Sequence, residues 1–464
     1  MREIVHGLGY APTTCTWELT LSCNLRCGHC GSRAGKPRKD ELPRERLLGI
    51  ARELSELGCR TLTLSGGEPT LSKDWEAVGA EASAHGVAVN MITNGLRADR
   101  ELARRAKDAG LVSVAVSLDG LEASHDHIRQ HRGLFRRVMA FIDDCAAVGL
   151  PVGVVTTIQK RNLRELDAMS ELLSGRVYVW QLQIGAAMGN LADERGEQIL
   201  PRDLLYLTPM LARMVAQSPL NIRIANNIGY YGPHEATLRK HRSSPVECWV
   251  GCYAGCRHLG IESDGGVKGC LSLQATSKTE GNLTREALSD VWHREGAFAY
   301  NRSFALDDLT GFCRTCEHAS VCRGGCFTMR TCEGGSENPY CYHRVATLDA
   351  RASAAKTPRR YAPLALAPAA LLAAFGISCA NDKPANPPPI APTTEPNPFP
   401  GEPPVVAEYA APAPDPEPAP TYTHSPVPAY QVPPPVEPPN VAEYAVEAPE
   451  DPPMTTKYGV PPPD

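Results

Sequence analysis

The strongest constraint on the fold is an alternation of short apolar strands with amphipathic helices between Thr14 and Leu182. The predicted strands are TWELTL, RTLTLSG, VAVNMITNG, VSVAVSLDG, VGVVTTIQ and VYVWQLQI. Stretches between them, such as RERLLGIARELSELG, carry apolar residues at helical spacing and close on a glycine. This pattern is typical of a parallel sheet with helices on its outer face. The sequence therefore predicts an α/β fold, a partial (β/α)6 TIM-like barrel, whose ligands gather at the carboxyl ends of the strands.

A cysteine triplet follows the first predicted strand. Cys23, Cys27 and Cys30 form a C-x3-C-x2-C pattern within LSCNLRCGHCGS. A structural zinc or a closed iron–sulfur cluster needs four protein ligands. Because no fourth cysteine lies close by in sequence, the pattern predicts a metal centre with one position left for another ligand.

Polar and glycine-rich motifs follow the next three strands. The motifs are SGGEP, TNG and SLDG, with the candidate residues Gly66, Gly67, Glu68, Pro69, Asn94, Ser117 and Asp119. Paired glycines let a backbone approach a ligand closely, and a carboxylate can receive a cationic amine. Any one of these motifs alone is typical of a turn. Their ordered recurrence at successive strand ends instead predicts one binding site.

Together these motifs make the first 190 residues or so resemble the radical S-adenosylmethionine (radical SAM) superfamily. The resemblance implies that Cys23, Cys27 and Cys30 hold a [4Fe–4S] cluster whose fourth iron binds SAM. It implies reductive cleavage of SAM to methionine and a 5′-deoxyadenosyl radical, which abstracts a substrate hydrogen. It also implies that the GGEP loop receives the methionyl amine and that the SLDG loop lies near the ribose.

The segment HDHIRQHRGLFRRV adds a further candidate. It resembles the segment after SLDG in peptide-modifying members, where an arginine at the position of Arg129 neighbours SAM. We expect its histidines, His125, His127 and His131, to lie on a solvated helix face, because histidine ligands without defined spacing are rare. The SAM-binding residues implied by the resemblance are Gly66, Gly67, Glu68, Pro69, Asn94, Ser117, Asp119 and Arg129.

A second cysteine pattern lies between residues 246 and 349. CYAGCRHLGIESDGGVKGC, CRTCEHASVCRGGC and NPYC together resemble the SPASM extension, which carries auxiliary [4Fe–4S] clusters; a structural zinc is the alternative. The resemblance assigns one cluster to Cys313, Cys316, Cys322 and Cys341, and the other to Cys252, Cys270 and Cys326. The fourth ligand of the second cluster stays open between an unligated iron and the surplus cysteines Cys248, Cys256 and Cys332.

Composition narrows the classes of protein and of partner. The chain has 464 residues, a net charge of -5 and 17 cysteines. Mild acidity argues against nucleic-acid binding, which needs a basic face. The N-terminal stretch lacks the apolar run of a secretory signal, and clustered cysteines in a reducing cytosol favour metal sites over disulfides. We therefore expect a cytoplasmic catalytic part. The resemblance to radical SAM enzymes implies an electron donor such as flavodoxin or ferredoxin.

The C-terminal part departs from this pattern. The predicted segments are 1–13 (N-terminal segment), 14–235 (radical SAM core), 246–349 (SPASM domain), 350–360 (basic linker), 361–379 (apolar) and 380–464 (disordered, Pro-rich and acidic). Segment 361–379 is long enough to span a bilayer, but it also resembles a lipoprotein export signal ending at Cys379. With the tail, it resembles lipoprotein-like peptides associated with radical SAM maturases. We favour a precursor peptide fused to its own enzyme; a membrane tether is the alternative.

The sequence thus predicts a radical SAM/SPASM maturase that oxidatively modifies a ribosomally made peptide or protein, with the tail as a substrate in cis. Auxiliary clusters favour an oxidative reaction such as cross-linking, because they can accept the electron that a substrate radical must lose. Two alternatives stay open. One is protein modification of the sulfatase-maturase kind. The other is a non-catalytic, membrane-tethered protein that binds metal or senses redox state.

Overall fold

The computed structural model describes residues 9–240, 248–332 and 334–356. The chain divides into a compact unit Met1–Ala365 and a second unit Leu366–Asp464, which lies outside the described residues. The expectations for segments 361–379 and 380–464 therefore also lie outside them. Within the described part of the chain, no helix is long and apolar enough to cross a membrane.

The described residues form ten strands, of which β1 to β6 are the six predicted ones, and these six run parallel. The strands are β1 (Thr14–Glu18), β2 (Thr61–Ser65), β3 (Ala88–Thr93), β4 (Leu111–Ser117), β5 (Val152–Ile158), β6 (Val179–Ile184), β7 (Ile222–Ile224), β8 (His258–Ile261), β9 (Gly266–Lys268) and β10 (Gly281–Asn282). They form one ten-stranded sheet in the order β10-β9-β8-β1-β2-β3-β4-β5-β6-β7. Neighbours from β8 through β1 to β7 are parallel, whereas β9 pairs antiparallel with β8 and β10. The predicted α/β architecture with a partial barrel is confirmed.

Helices connect the parallel strands, as the periodicity predicts. The helices are α1 (Arg44–Glu56), α2 (Trp75–Ala84), α3 (Arg100–Asp108), α4 (Glu122–Arg129), α5 (Leu134–Val148), α6 (Leu166–Leu173), α7 (Asn190–Asp193), α8 (Leu204–Gln217) and α9 (Glu235–Arg239). In the cysteine-rich part they are α10 (Leu288–His293), α11 (Ala299–Arg302), α12 (Gly311–Thr315), α13 (Ala319–Cys322), α14 (Phe327–Thr331) and α15 (Tyr342–Lys356).

Local chemistry sets the ends and faces of these helices. Helix α1 buries Leu47, Ile50 and Leu54, which are three and four residues apart and so share one face. Helix α3 begins at Asp99, whose carboxylate accepts a hydrogen bond from a backbone amide of the first turn. Helix α5 ends at Gly149, which adopts the left-handed conformation that a glycine tolerates. These features keep the apolar faces against the sheet.

The cysteine-rich region is joined to the barrel by a strand that the sequence analysis did not predict. Strand β8 pairs in parallel with β1, with Thr14 opposite His258 and Trp17 opposite Ile261. At the carboxyl end of β1, the buried carboxylate of Glu18 accepts a hydrogen bond from the amide of Ser263 at 3.2 Å. The two predicted domains therefore share one sheet, and the carboxyl end of β1 lies beside the cysteine-rich region.

Candidate active site

One cavity of about 400 Å³ lies at the carboxyl ends of the parallel strands. The sequence-predicted residues that line it are Cys23, Cys27, Cys30, Gly66, Gly67, Asn94, Ser117 and Arg129. Glu68, Pro69 and Asp119 are buried and are not among the described lining residues. The structure therefore brings the cysteine triplet and most of the implied SAM-binding residues to one place.

The three thiols each face a hydrogen-bond donor. The Asn94 amide nitrogen lies 3.8 Å from Cys23 Sγ, and Arg129 Nη1 lies 3.9 Å from Cys27 Sγ. Cys30 Sγ accepts a hydrogen bond from a backbone amide at 3.3 Å. Burial raises the pKa of Cys27 to about 11, although the Arg129 guanidinium lowers it. Three unbridged thiols with donors directed at sulfur fit a thiolate-held iron–sulfur cluster.

Two glycines bring the loop after β2 against the cysteine loop. Gly67 N donates to Thr20 O and Glu68 N donates to Ser22 O, both at 2.8 Å. Gly66 has a φ of +143°, and a Cβ at Gly66 or Gly67 would collide with the same carbonyl oxygens. Only glycine allows this approach, so the two loops form one rigid edge of the cavity.

Glu68 lies beneath that edge. Its carboxylate is 1% exposed. It accepts hydrogen bonds from the hydroxyls of Thr70 (2.7 Å) and Thr93 (2.8 Å) and from the backbone amide of Asn94 (2.8 Å). Burial raises the pKa of Glu68 even though these hydrogen bonds lower it. In this structure the carboxylate joins the loops that follow β2 and β3, and it thereby fixes Asn94 on the cavity lining.

Asp119 holds a buried charge network under the other side of the cavity. It is 0% exposed, and its Oδ2 accepts a 2.6 Å hydrogen bond from Arg129 Nε. The backbone amide of Thr157 donates to Oδ1 at 2.7 Å, and His29 Nε2 lies 3.4 Å from Oδ2. Burial opposes ionisation of Asp119, but Arg129 and then His29 outweigh it and hold the pKa of this carboxyl below its usual range. Asp119 therefore orients Arg129, which faces the cavity.

The prediction of a solvated helix face is wrong for His125. His125 is 0% exposed, and its Nδ1 accepts a hydrogen bond from the backbone amide of Asp119 at 3.0 Å. Burial, followed by Arg129, lowers the pKa of His125 to about 4. His127 is exposed as predicted, and His131 is partly buried. The face of α4 that packs against the loop after β4 carries polar as well as apolar residues. A prediction based on polarity alone places such a face in solvent, and it therefore fails for His125.

The sequence analysis missed further polar residues of the cavity lining. The lining also includes Glu18 and four carboxamides, Gln181, Gln183, Asn227 and Gln274; we call the four carboxamides the amide wall. The two glutamines occupy alternate positions of β6, so they point to the same side of the sheet. Two glutamines at alternate positions in an otherwise apolar strand were the signal that could have identified this surface.

The cysteines of the second pattern form two groups. Cys313, Cys316, Cys322 and Cys341 line a second, apolar cavity together with Tyr230, Tyr231 and Phe312. Burial raises the pKa of Cys341 to about 12, and the thiols of Cys313 and Cys316 raise it further. These are the four residues that the resemblance assigns to one cluster.

The second group comprises Cys252, Cys270 and Cys326. Burial raises the pKa of Cys326, and the thiols of Cys252 and Cys270 raise it further. Of the surplus cysteines, Cys256 accepts a hydrogen bond from the Asn301 amide at 3.5 Å. Clustered thiols without a disulfide between them suit soft metal centres in both groups.

Comparison with protein families and known proteins agrees with this arrangement. The radical SAM superfamily model matches residues 17–173, and the iron–sulfur cluster-binding SPASM domain model matches residues 252–317. An AdoMet-dependent heme synthase from Methanosarcina barkeri is 28% identical over 72% of this chain and 97% of that protein. The mycofactocin maturase MftC from Mycobacterium ulcerans is 29% identical over 71% of this chain and 86% of that protein.

Solved structures show the same fold. Streptococcus suis SuiB bound to S-adenosylmethionine aligns with a TM-score of 0.58 at 17% identity, over 73% of this chain and 78% of SuiB. SuiB bound to its precursor peptide SuiA aligns with a TM-score of 0.57. The chain therefore carries a radical SAM domain and a SPASM domain. It is a radical SAM enzyme, and its cofactors are [4Fe–4S] clusters and SAM.

Proposed function

We propose that this enzyme is a peptide maturase that oxidatively modifies a ribosomally made peptide. Among its relatives, MftC is named as a maturase, and SuiB has been crystallised with a precursor peptide. The heme synthase relative raises a second candidate substrate, a haem-type macrocycle. Modification of the sulfatase-maturase kind is less favoured, because the relatives by sequence include a peptide maturase.

The chemistry of the cavity favours a peptide over a macrocycle. A haem-type ligand is a large, flat, mostly apolar molecule with carboxylates, so it needs an apolar slot and cationic side chains. Among the described lining residues, Arg129 is the one Arg or Lys, and Asp119 already pairs with it. Asn227 already bonds to the backbone of Ile184, and the amide nitrogens of Gln183 and Gln274 donate to Thr157 and Leu271. The amide wall therefore offers the side chain of Gln181 and the amide oxygens of Gln183 and Gln274 as groups that can pair with a peptide. This wall is the observation that carries the proposal.

We assign the SAM-binding cluster to Cys23, Cys27 and Cys30. When bound, the cluster supplies the electron that cleaves SAM to methionine and a 5′-deoxyadenosyl radical. The backbone of Gly66 and Gly67 and the neighbouring Glu68 and Pro69 would receive the methionyl part of SAM. Asn94, Ser117 and Arg129 would contact the cofactor from the cavity lining. Glu68 holds Asn94 and Asp119 holds Arg129 in place.

We assign the auxiliary clusters to the two cysteine groups, Cys313, Cys316, Cys322 and Cys341 in one and Cys252, Cys270 and Cys326 in the other. Oxidative bond formation removes two hydrogens from the peptide. One leaves as a hydrogen atom to the deoxyadenosyl group; the other leaves as a proton and an electron. An auxiliary cluster provides the acceptor for that electron. The reductant for the SAM-binding cluster is a small donor of the flavodoxin or ferredoxin kind.

The tail 380–464 is the substrate that we propose, acting in cis. Covalent attachment through tens of residues gives a local concentration of roughly millimolar, which compensates for weak intrinsic binding. The catalytic part acts in the cytoplasm, and any membrane attachment runs through 361–379. Cross-linking then precedes insertion of that segment, because the tail must reach the cavity first.

Anaerobic reconstitution followed by mass spectrometry of the tail tests this proposal. We expect about twelve irons per chain, from three four-iron clusters. We also expect a tail that has lost a pair of hydrogens for each cross-link. The variant with Cys23, Cys27 and Cys30 all replaced by Ala should keep the auxiliary iron but form no 5′-deoxyadenosine and leave the tail unmodified. Cys59→Ala is the matched control, because Cys59 lies outside the cavity lining and should leave all three readouts unchanged.

Two outcomes would contradict parts of the proposal. Turnover of an iron coproporphyrin in place of any peptide would overturn the peptide assignment. An unmodified tail beside turnover of a separate peptide would remove the substrate role of segment 380–464 while keeping the maturase function.

A further inference from the structure

A short helix is tied directly to the first cysteine of the three-cysteine group. Asn301 lies in α11, and its side-chain nitrogen donates to the carbonyl oxygens of Cys252 and Ala254, both at 2.7 Å. Asn301 is 4% exposed, so water does not compete for these hydrogen bonds. The preceding residue, Tyr300, is thereby held against the same segment of chain.

The Tyr300 side chain also contacts the segments of the other two cysteines. A Cβ added at Gly269, the residue before Cys270, would collide with the Tyr300 hydroxyl oxygen. The ring packs on Phe327, the residue after Cys326, with 4.7 Å between ring centroids. Tyr300 thus lies where the chain segments of Cys252, Cys270 and Cys326 meet.

The hydroxyl of Tyr300 has no hydrogen-bond partner within the described part of the chain, although its oxygen is buried. A buried hydroxyl without a partner costs about 1–3 kcal/mol. A phenol, with an ordinary pKa of about 10, is protonated at neutral pH and can donate one hydrogen bond. The acceptors that this site lacks would be supplied by the sulfur atoms of a cluster bound to the three cysteines.

Two of the surplus cysteines have hydrogen bonds of their own. The thiol of Cys256 accepts from Asn301, which also donates to the Cys252 carbonyl, so Cys256 lies beside the three-cysteine group. The thiol of Cys332 donates to the carbonyl of Met329 at 3.7 Å. The polar atom that is buried beside all three segments and lacks a partner in the described structure is the Tyr300 hydroxyl.

We propose that Tyr300 donates a hydrogen bond to a sulfur of the auxiliary cluster held by Cys252, Cys270 and Cys326, and that this bond raises the reduction potential of the cluster. Hydrogen bonds to cluster sulfurs stabilise the reduced, more negative state. Tyr300 is then a tuning residue for one of the two auxiliary clusters that can accept the substrate electron. The inference rests on the cluster assignment made under the proposed function.

The test is a redox titration of the full chain, followed by electron paramagnetic resonance, comparing Tyr300→Phe with the wild type. Tyr178→Phe is the matched control, because its hydroxyl bonds to Ser113 at 3.1 Å near the amino ends of β4 and β6, away from the cysteine groups. We expect Tyr300→Phe to keep the wild-type iron content and to shift one auxiliary potential to a more negative value, whereas Tyr178→Phe leaves all potentials unchanged. A wild-type potential in Tyr300→Phe would overturn the inference, as would loss of iron from it, because loss indicates ligation.

A second measurement needs no variant to fold. Electron–nuclear double resonance of the reduced wild type, in H2O and then in D2O, should show an exchangeable proton coupled to the auxiliary cluster, and its absence would overturn the inference. The Cys252→Ala/Cys270→Ala/Cys326→Ala variant separates this failure from that of the proposed function. If it has the same iron content as the wild type, these cysteines hold no cluster, and the cluster assignment fails together with the inference.

Discussion

Replacing Asp119 by Asn should destabilise the fold more than any surface exchange of the same chemical kind. The side chain of Asp119 is 0% exposed and that of Arg129 is 11% exposed, so neither charge is solvated when its partner is lost. In Asp119→Asn, the remaining side-chain oxygen can still accept the hydrogen bond from the backbone amide of Thr157. The new NH2 group, however, faces the Arg129 guanidinium, and two donors cannot form a hydrogen bond with each other. Breaking a buried ion pair from one side costs about 3–5 kcal/mol. We therefore expect the free energy of unfolding of Asp119→Asn to fall by about that amount.

Urea denaturation of the reconstituted protein under anaerobic conditions, followed by far-ultraviolet circular dichroism, measures this loss. The control is Asp108→Asn, an exposed residue at the end of α3 that should change stability by less than about 0.5 kcal/mol. A double-mutant cycle with Arg129→Gln isolates the pair, since the doubly neutral variant should lose less than the sum of the single losses. Additive losses, or an Asp119→Asn variant as stable as the control, would refute the reasoning.

Three further expectations follow from the same structure. A Cβ at Gly67 would strike backbone carbonyls of the cysteine loop at an overpacking cost of about 1–3 kcal/mol. Gly67→Ala should therefore slow 5′-deoxyadenosine formation about 5- to 150-fold in an anaerobic assay. Gly196→Ala, whose Cβ meets open space, should leave the rate unchanged. Burial, followed by the Arg129 guanidinium, lowers the pKa of His125 to about 4, so the unfolded chain is protonated at a higher pH than the folded chain. The urea midpoint should therefore fall as the pH drops from about 6.5 to 4. This fall should be smaller in His125→Gln, whereas the exposed control His127→Gln should show the same fall as the wild type. Cys322→Ser should lose about four irons by elemental analysis while SAM cleavage persists, and full iron content would remove Cys322 from the ligand set.

The strands and helices could be predicted because their signals are local. Alternating apolar residues, and a closing glycine such as Gly149, act within one element. Strand β8 could not, since it has only four residues and its partner β1 lies more than two hundred residues away. No periodicity within four residues identifies such a pairing.

The motif residues show a similar division between identity and geometry. The spacing of Cys23, Cys27 and Cys30 correctly predicted that the three cysteines lie together, because all three lie on one short loop that lines the cavity. Which way the carboxylates of Glu68 and Asp119 face depends on partners in other loops. Sequence reasoning predicted that both contact the cofactor, and this stays a prediction; the structure adds that both side chains are buried and hydrogen-bonded to neighbouring loops.

The pairing of β8 with β1 has a consequence for how this enzyme can be divided. Strand β1 would otherwise present a row of unpaired amides and carbonyls on its outer side, the kind of open border at which sheets from different molecules join. A chain shortened before His258 would expose that border together with the apolar surface around Trp17, which is fully buried in the intact protein. Shortened versions would therefore tend to aggregate during expression, and studies of SAM cleavage would best inactivate the auxiliary sites by point substitution.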